Sequence, residues 1–389
     1  MLAKRSNQHK PCPPLEDIGP SIVKYYEMGM ADTEILKHLL DRHVDKEKYG
    51  LSIKSLKRMH GQLGLQSIRQ QNHDLDSALP ALQHIRARYP KAGLHDMRLH
   101  MLHEEGVKVS RVIEGFFLTY EPEGIKERKA CHLKCKRFWA AGVDDIWAID
   151  QHDKWKHFHL WLHTGVEPYS GKILWLRVWW TNKNPKLILH YYLEAVQELG
   201  AMPLVTQSDP GSENYGVAND LLEDGVHAGW YDPNDPLDVL LFRWLFIPWL
   251  QAELDTWKDS HNAAPKRADK NKILPHGRPQ LIFEAPHMYD SLDFKVGITL
   301  EAVQQVHEHY APSDDPVFIL VPSAFEQLAE SIYHSHGRPS ISRKTIWGIF
   351  AEMLVTIRDI YASEPTPALE AAAHATVADE GAEESPGIA

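Results

Sequence analysis

Between residues 146 and 180 the chain draws heavily on β-branched and aromatic side chains and alternates them with a period of two, a pattern that points to a sheet. Three strands are expected: IWAIDQ (146–151), FHLWLHTGV (158–166) and KILWLRVWW (172–180), with EPYSG (167–171) turning the second into the third. Asn184 then offers a cap and Pro185 opens a helix over 187–199, whose stripe runs through Leu187, Tyr191 and Ala195 and which Gly200 closes. A fourth short strand, MPLVTQSD (202–209), delivers Asp209 into the turn SDPGSEN. The expected fold class is therefore α/β at this point in the chain.

Strand, strand, strand, helix, strand, with one Asp in the first strand and another at the end of the fourth, is the order of the ribonuclease H-like fold. Two-metal phosphodiester chemistry needs carboxylates that hold two divalent ions about 4 Å apart, one ion activating the attacking oxygen and the other stabilising the leaving one. Mg²⁺ and Mn²⁺ prefer such oxygen ligands. Asp150 stands mid-strand among apolar neighbours, where a carboxylate is costly unless it binds something. Asp209 follows a strand and precedes Gly211, where backbone can approach a substrate. The competing reading for either is a carboxylate paired with a base. The histidines at 157, 159 and 163 alternate with Phe158, Leu160 and Leu162 and are expected to form one solvent-facing row; Trp161, Trp175, Trp179 and Trp180 read as sheet packing.

The N-terminal part is helical and basic. Residues 1–14 read as a disordered lead; 15–75 hold three helices marked by Ile18, Ile22 and Tyr26, by Ile35, Leu36, Leu39 and Leu40, and by Leu56, Met59 and Leu63, with Asp32 and Ser52 as caps. Lys54, Lys57 and Arg58 on the third suit a helix-turn-helix whose last helix meets DNA; a plain three-helix bundle with a solvated basic face is the alternative. Residues 76–140 hold a second helix-turn-helix pattern and end in KERKACHLKCKRFW (126–139), whose Lys134, Lys136 and Arg137 belong to a basic linker that can neutralise phosphates or serve as a nuclear import signal, a plain solvated linker being the alternative. His95, His100, His103, Cys131 and Cys135 are the residue types of a zinc site, but Cys-x3-Cys is an unusual spacing and the histidines lie on a helix that reads as core.

Charge supports this division. Residues 1–140 carry 24 Lys and Arg against 17 Asp and Glu, a balance of +7, and the remainder carries 18 against 36, giving the net −11 of the whole 389-residue chain. No stretch reaches the roughly 18 to 20 apolar residues a membrane helix needs, since 239–250 is shorter and holds Arg243 and Pro248. The N-terminus has charge but no apolar signal core, and three cysteines do not make a disulfide framework, so an intracellular protein is expected. Walker, dinucleotide, G-x-S-x-G, His-Glu-x-x-His and EF-hand motifs are missing from the sequence. Residues 297–361 are expected to add a strand at 316–321 and helices at 324–334 and 342–361, followed by an acidic disordered tail, 362–389.

The string AGLHDMRLHMLHEEGVKVSRVIEGFF (92–117) resembles the second helix-turn-helix ahead of the catalytic core in bacterial insertion-sequence transposases, which implies contacts to phosphate or bases from Arg98, Lys108 and Arg111. WAIDQHDKW, HTGVEPYSGKILWLRVWWTNKNP and SDPGSENYGVAN resemble the first half of the integrase core of DDE-type transposases and retroviral integrases, and the chain is most similar to integrase-core proteins of fungal genomes. DTWKDSHNAAPKRADKNKILPHGRPQLIF (255–283) resembles the segment that follows the last catalytic helix in these cores. The resemblance spans about 92–296, of which 141–296 is the expected core; it implies that Asp150 and Asp209 bind Mg²⁺ or Mn²⁺, that DNA is the partner, that the protein is nuclear and that copies self-associate.

The resemblance breaks at residues 219–222, where NYGVAND runs almost directly into LLEDGVHAGWYDPNDP and the family's third carboxylate, a helical Glu, has no clear counterpart. Glu213 and Glu223 are its weak candidates, and Glu253 is expected to lie beyond the apolar helix LLFRWLFIPWL. Whether the chain is an enzyme is thus left open. The readings are a strand-transfer protein, a DNA-binding protein with a dead integrase core, or an interaction protein that does not bind DNA.

Overall fold

The computed structural model describes residues 10–90, 92–109, 111–121, 140–153, 155–208, 230–266 and 274–363. They fall into two units: residues up to 121 with 263–266 and 276–278, and the described residues of 140–262, 274–275 and 279–363.

The first unit is built from α1 (Leu15–Glu27), α2 (Asp32–Arg42), α3 (Ile53–Gln62), the short α4 (Ile68–Gln71), α5 (Leu75–Arg88), α6 (Leu94–Glu105) and α7 (Arg111–Tyr120). Ile18, Ile22, Ile35, Leu39, Leu56 and Met59 are buried at three- and four-residue spacing, so each of the first three helices turns one apolar stripe inward. Ser52 caps α3 by accepting the Ser55 N–H at 3.1 Å. Asp32 does not cap α2; Ala31 holds the cap position and its N–H donates to the Glu34 carboxylate at 3.2 Å, leaving Asp32 as the first helical residue. Asp74 caps α5, accepting from Ser77 N–H at 2.8 Å, and Pro80 is tolerated within the helix.

A second core gathers Ala78, Leu82, Ile85, Met97, Met101, Ile113, Phe116 and Phe117. The helices on both sides of residue 75 belong to one compact unit. His103 Nε2 meets the Glu27 carbonyl at 2.7 Å, the Gln71 amide donates to the Gly106 carbonyl at 2.8 Å and accepts from Lys108 N–H at 2.6 Å, and Lys108 Nζ lies 3.7 Å above the Tyr26 ring.

The second unit is mixed α/β: β1 (Gly142–Val143), β2 (Ile146–His152), β3 (Trp161–Glu167), β4 (Lys172–Trp179), α8 (Pro185–Leu199), β5 (Ala201–Met202), β6 (Val205–Ser208), α9 (Pro236–Ala263), α10 (Pro279–Glu284), β7 (Leu292–Asp293), β8 (Val296–Gly297), α11 (Leu300–Tyr310), α12 (Ser323–Ser335) and α13 (Ile346–Ser363). The main sheet has the order β4-β3-β2-β6. β2, β3 and β4 form an antiparallel meander, and the chain then crosses through α8 so that β6 returns parallel to β2. Asn184 caps α8, accepting from Lys186 N–H at 2.9 Å, and Gly200 ends it at φ +63°.

Five expectations are corrected. β3 starts at Trp161, because residues 156–158 form a 3-10 turn that buries Trp155 and Phe158 and leaves His159 at φ +57°. His157 and His159 therefore do not share a row with His163, which is buried at 2% exposure. The fourth strand is split: Ala201–Met202 pairs with Val296–Gly297, and Val205–Ser208 pairs with β2. Residues 316–318 are a 3-10 turn rather than a strand, with the Asp315 carboxylate accepting the Val317 N–H at 3.1 Å. The last helix starts at Ile346 rather than 342.

Residues 297–361 are part of the same body. Val303 and Val317 pack with Trp147, Trp175 and the α8 residues Leu187, Tyr191 and Val196. On the opposite face, Phe325, Ile332, Phe350 and Met353 of α12 and α13 join Leu162, Leu176, Val178 and the α9 residues Leu241, Phe242 and Phe246. Among the described residues no helix is long and apolar enough to cross a membrane.

Candidate functional site

Asp150 lies in β2 with a hydrogen-bonded neighbour on either side of the strand. Its backbone pairs with Thr164 of β3, whose hydroxyl also donates to the Asp150 carbonyl at 3.4 Å. On the other side β6 runs parallel in the register Ile146↔Val205 through Ile149↔Ser208. Because successive side chains alternate, Asp150 shares a face with Ala148, His152, Leu162, Thr164, Leu176 and Val178, the face covered by α9. One oxygen of its carboxylate, Oδ1, is shielded from solvent. At the exit of β2, Asp153 Oδ1 accepts from the Asn182 amide at 2.8 Å, tying the chain after β2 to the chain after β4.

Asp209 lies outside the described residues, as do Glu213, Glu223 and the 219–222 junction. The described chain breaks off at Ser208, opposite Ile149, and the residues next in sequence are Asp150 and Asp209. Glu253 is not beyond the apolar helix but within it: α9 passes Pro248 and continues to Ala263. That helix is anchored over β4, since Gln251 accepts from Val178 N–H at 3.0 Å and donates to the Leu176 carbonyl at 2.9 Å, while Asn262 accepts from Ile173 N–H at 2.9 Å and donates to its carbonyl at 2.8 Å. β4 is two strands from β2, roughly 9–10 Å away at ordinary strand spacing. Among the described residues no group of three His, Cys, Asp or Glu side chains is placed to hold a metal ion.

No family model matches the chain, and no curated protein matches it. Function rests on these side chains.

Of the expected DNA-facing bases, Lys54, Lys57 and Arg58 are all exposed on α3. Arg98 is paired with Glu114 at 3.1 Å, and Lys108 is held over Tyr26, where burial pushes its ammonium below the usual range. Arg111 opens α7, its side chain being outside the description, and Lys134, Lys136 and Arg137 are outside the described residues. His100 is buried, stacks on Tyr89 at 3.7 Å and lies 3.3 Å from Glu104, whereas His103 is exposed and its Nε2 meets the Glu27 carbonyl at 2.7 Å.

Sequence reading missed the straps formed by Gln251 and Asn262, and also Asn182. It noted Arg243 only as an interruption in an apolar run, although that residue is 1% exposed with its guanidinium 5.0 Å over the Trp180 ring. An Arg inside LLFRWLFIPWL was the available signal, because a buried guanidinium demands partners.

Proposed function

We propose that the chain is an integrase- or transposase-like DNA strand-transfer protein of transposon origin, with a ribonuclease H-like core, divalent-metal phosphodiester chemistry and a nuclear site of action. The observation that carries this reading is the pairing of β2 with β6: an antiparallel meander, a helical crossover and a parallel return set Ile149 opposite Ser208, one residue before each of the two aspartates. In the resembled family those two positions hold the catalytic metals.

Asp150 supports the metal as one donor of the right kind. A carboxylate with one oxygen turned from water, fixed on a strand paired on both sides, is the hard-oxygen ligand that Mg²⁺ or Mn²⁺ takes. When bound, such ions activate the attacking oxygen and stabilise the leaving one. Asp150 would contribute one ligand and Asp209 a second; the third ligand is unassigned, with Glu213 and Glu223 its candidates. The basic N-terminal third supplies the grip on DNA.

The test is incubation of the full chain with labelled duplex DNA and Mg²⁺ or Mn²⁺, scoring nicked and joined products. Metal-dependent products that vanish in Asp150→Ala are expected. Products that survive Asp150→Ala overturn the site. Salt-dependent DNA retention without products makes the chain a DNA-binding protein with a dead core, and neither products nor retention makes it an interaction protein.

A further inference from the structure

We propose that the contact between His190 of α8 and His307 of α11 is a proton-operated latch, which holds α11 in place while the two rings share at most one added proton and releases it when both are charged. The inference is independent of the proposed function.

The latch is built across two helices. His190 Nδ1 lies 2.7 Å from His307 Nε2, with the ring centroids 4.9 Å apart and the planes at 71°. On its other side His190 Nε2 stands 3.4 Å from Glu194 Oε1, one turn along α8. Two ring nitrogens this close need one hydrogen between them, so that one ring donates and the other accepts. With both rings neutral, His190 turns its Nε2–H to Glu194 and its bare Nδ1 accepts from His307 Nε2–H. A first proton is accommodated on His190: its Nδ1–H then donates to His307 Nε2, and the imidazolium faces the Glu194 carboxylate. A second proton sets N–H against N–H and charge against charge, and leaves no acceptor at the contact.

The surroundings do not supply a second counter-charge. Glu194 also accepts from Arg177 of β4 at 3.0 Å, so its charge is already shared. Asp315, in the turn after α11, is engaged by Lys186 of α8, and Phe318 brings only its ring, 4.8 Å from that of His190. The other charged or titratable groups of α11, Glu301, Glu308 and His309, are exposed. Burial first, and the facing His190 next, hold His307 below the ordinary imidazole range.

Little else fastens α11. Of its 11 residues only Val303 is buried, whereas Leu300, Val306 and Tyr310 are exposed. A helix with so little buried apolar surface belongs to the low-stability end of a fold. Its ends remain tied when the latch opens: Thr299 caps it by accepting the Ala302 N–H at 3.3 Å, β8 ahead of it pairs with β5, and the Lys186–Asp315 ion pair holds the chain behind it. Release is therefore local to α11.

A histidine kept neutral by the fold contributes stability above its ordinary value of 6.5 and loses it as pH falls. The open state binds one proton more than the latched state, so opening grows by up to about tenfold per pH unit below that value. A helix this short does not protect its amides without tertiary contacts.

The experiment is hydrogen exchange on the full chain, read on the α11 peptide at about pH 7.5 and about pH 5.5 after correction for the intrinsic rate, with α12 as reference. Protection of α11 is expected to fall by up to about tenfold at the lower pH while α12 keeps its own. The fall should vanish in His307→Gln, whose amide can pair with His190 without taking a proton. Val303→Ala should lower α11 protection at both pH values and keep the fall, which separates loss of packing from loss of the latch. In the wild-type chain the two rings should titrate in separate steps when followed by nuclear magnetic resonance. Protection of α11 that is the same at both pH values, a fall that persists undiminished in His307→Gln, or coincident titration of the two rings overturns the latch.

Discussion

Ile149 and Ser208 face each other across the parallel β2–β6 pair. Parallel strands need a crossover to bring them side by side, and here that crossover is α8, whose Tyr191 and Val196 pack with Trp147 on the face opposite Asp150. The same register that buries Trp147 and Ile149 against α8 therefore turns Asp150 to the other side of the sheet.

Gly165 sits where β3 bulges toward Val166, and a Cβ added to it would stand 2.4 Å from the Trp175 ring. Gly165→Ala must displace that indole, whose N–H donates to His163 Nδ1 at 2.8 Å. Overpacking of this kind costs about 1–3 kcal/mol. A lowered denaturation midpoint with an unchanged denaturant slope is the expected result.

Much of this was legible in the sequence because the physics was local. Period-two alternation placed β2 and β4, and Asn184-Pro185 with Gly200 bounded α8 to within two residues. Alternation misled at 157–160, where burial of Trp155 and Phe158 through a 3-10 turn outweighed strand pairing. The apolar helix LLFRWLFIPWL was legible, but α9 runs on past it to Ala263, with Leu254 buried beyond it, a tertiary effect that propensity cannot register. At the site, Asp150 stood out as a carboxylate in an apolar strand, whereas the amide straps on β4 depend on contacts more than 70 residues apart in sequence.

Asn262 satisfies both the N–H and the carbonyl of Ile173 on the outer edge of β4, and Gln251 does the same work for Val178 and Leu176. An edge covered in this way is closed to pairing with another chain. Asn262→Ala leaves two buried backbone groups without their partner, at a cost of about 2–3 kcal/mol. Native-state hydrogen exchange should show the Ile173 amide losing protection first, with added aggregation on heating.

Stability should vary with pH through buried groups at the sheet. Burial pushes Glu167 up to about 7, although it accepts hydrogen bonds from Tyr169 N–H and Ser170 N–H at 2.9 and 2.8 Å. Its protonated form is favoured in the fold, so its contribution is full below about 4.5 and is lost as pH rises to about 7. Asp238, raised to about 6 by burial, acts in the same direction. His163 acts oppositely: burial lowers it to about 4, so its contribution is present above 6.5 and is lost as pH falls. The gap in denaturation midpoint between wild type and Glu167→Gln should therefore shift between pH 4.5 and 7, by an amount on the order of 3 kcal/mol at most; parallel curves would refute the assignment to Glu167.

The central claim, that the strand carrying Asp150 ends in a divalent-metal site, is tested most directly by Mn²⁺ titration of the full chain, followed by electron paramagnetic resonance. Specific Mn²⁺ binding that is lost in Asp150→Asn and in Asp209→Asn, but kept in Asp153→Asn, is the predicted result. Equal Mn²⁺ binding by wild type and Asp150→Asn would contradict it.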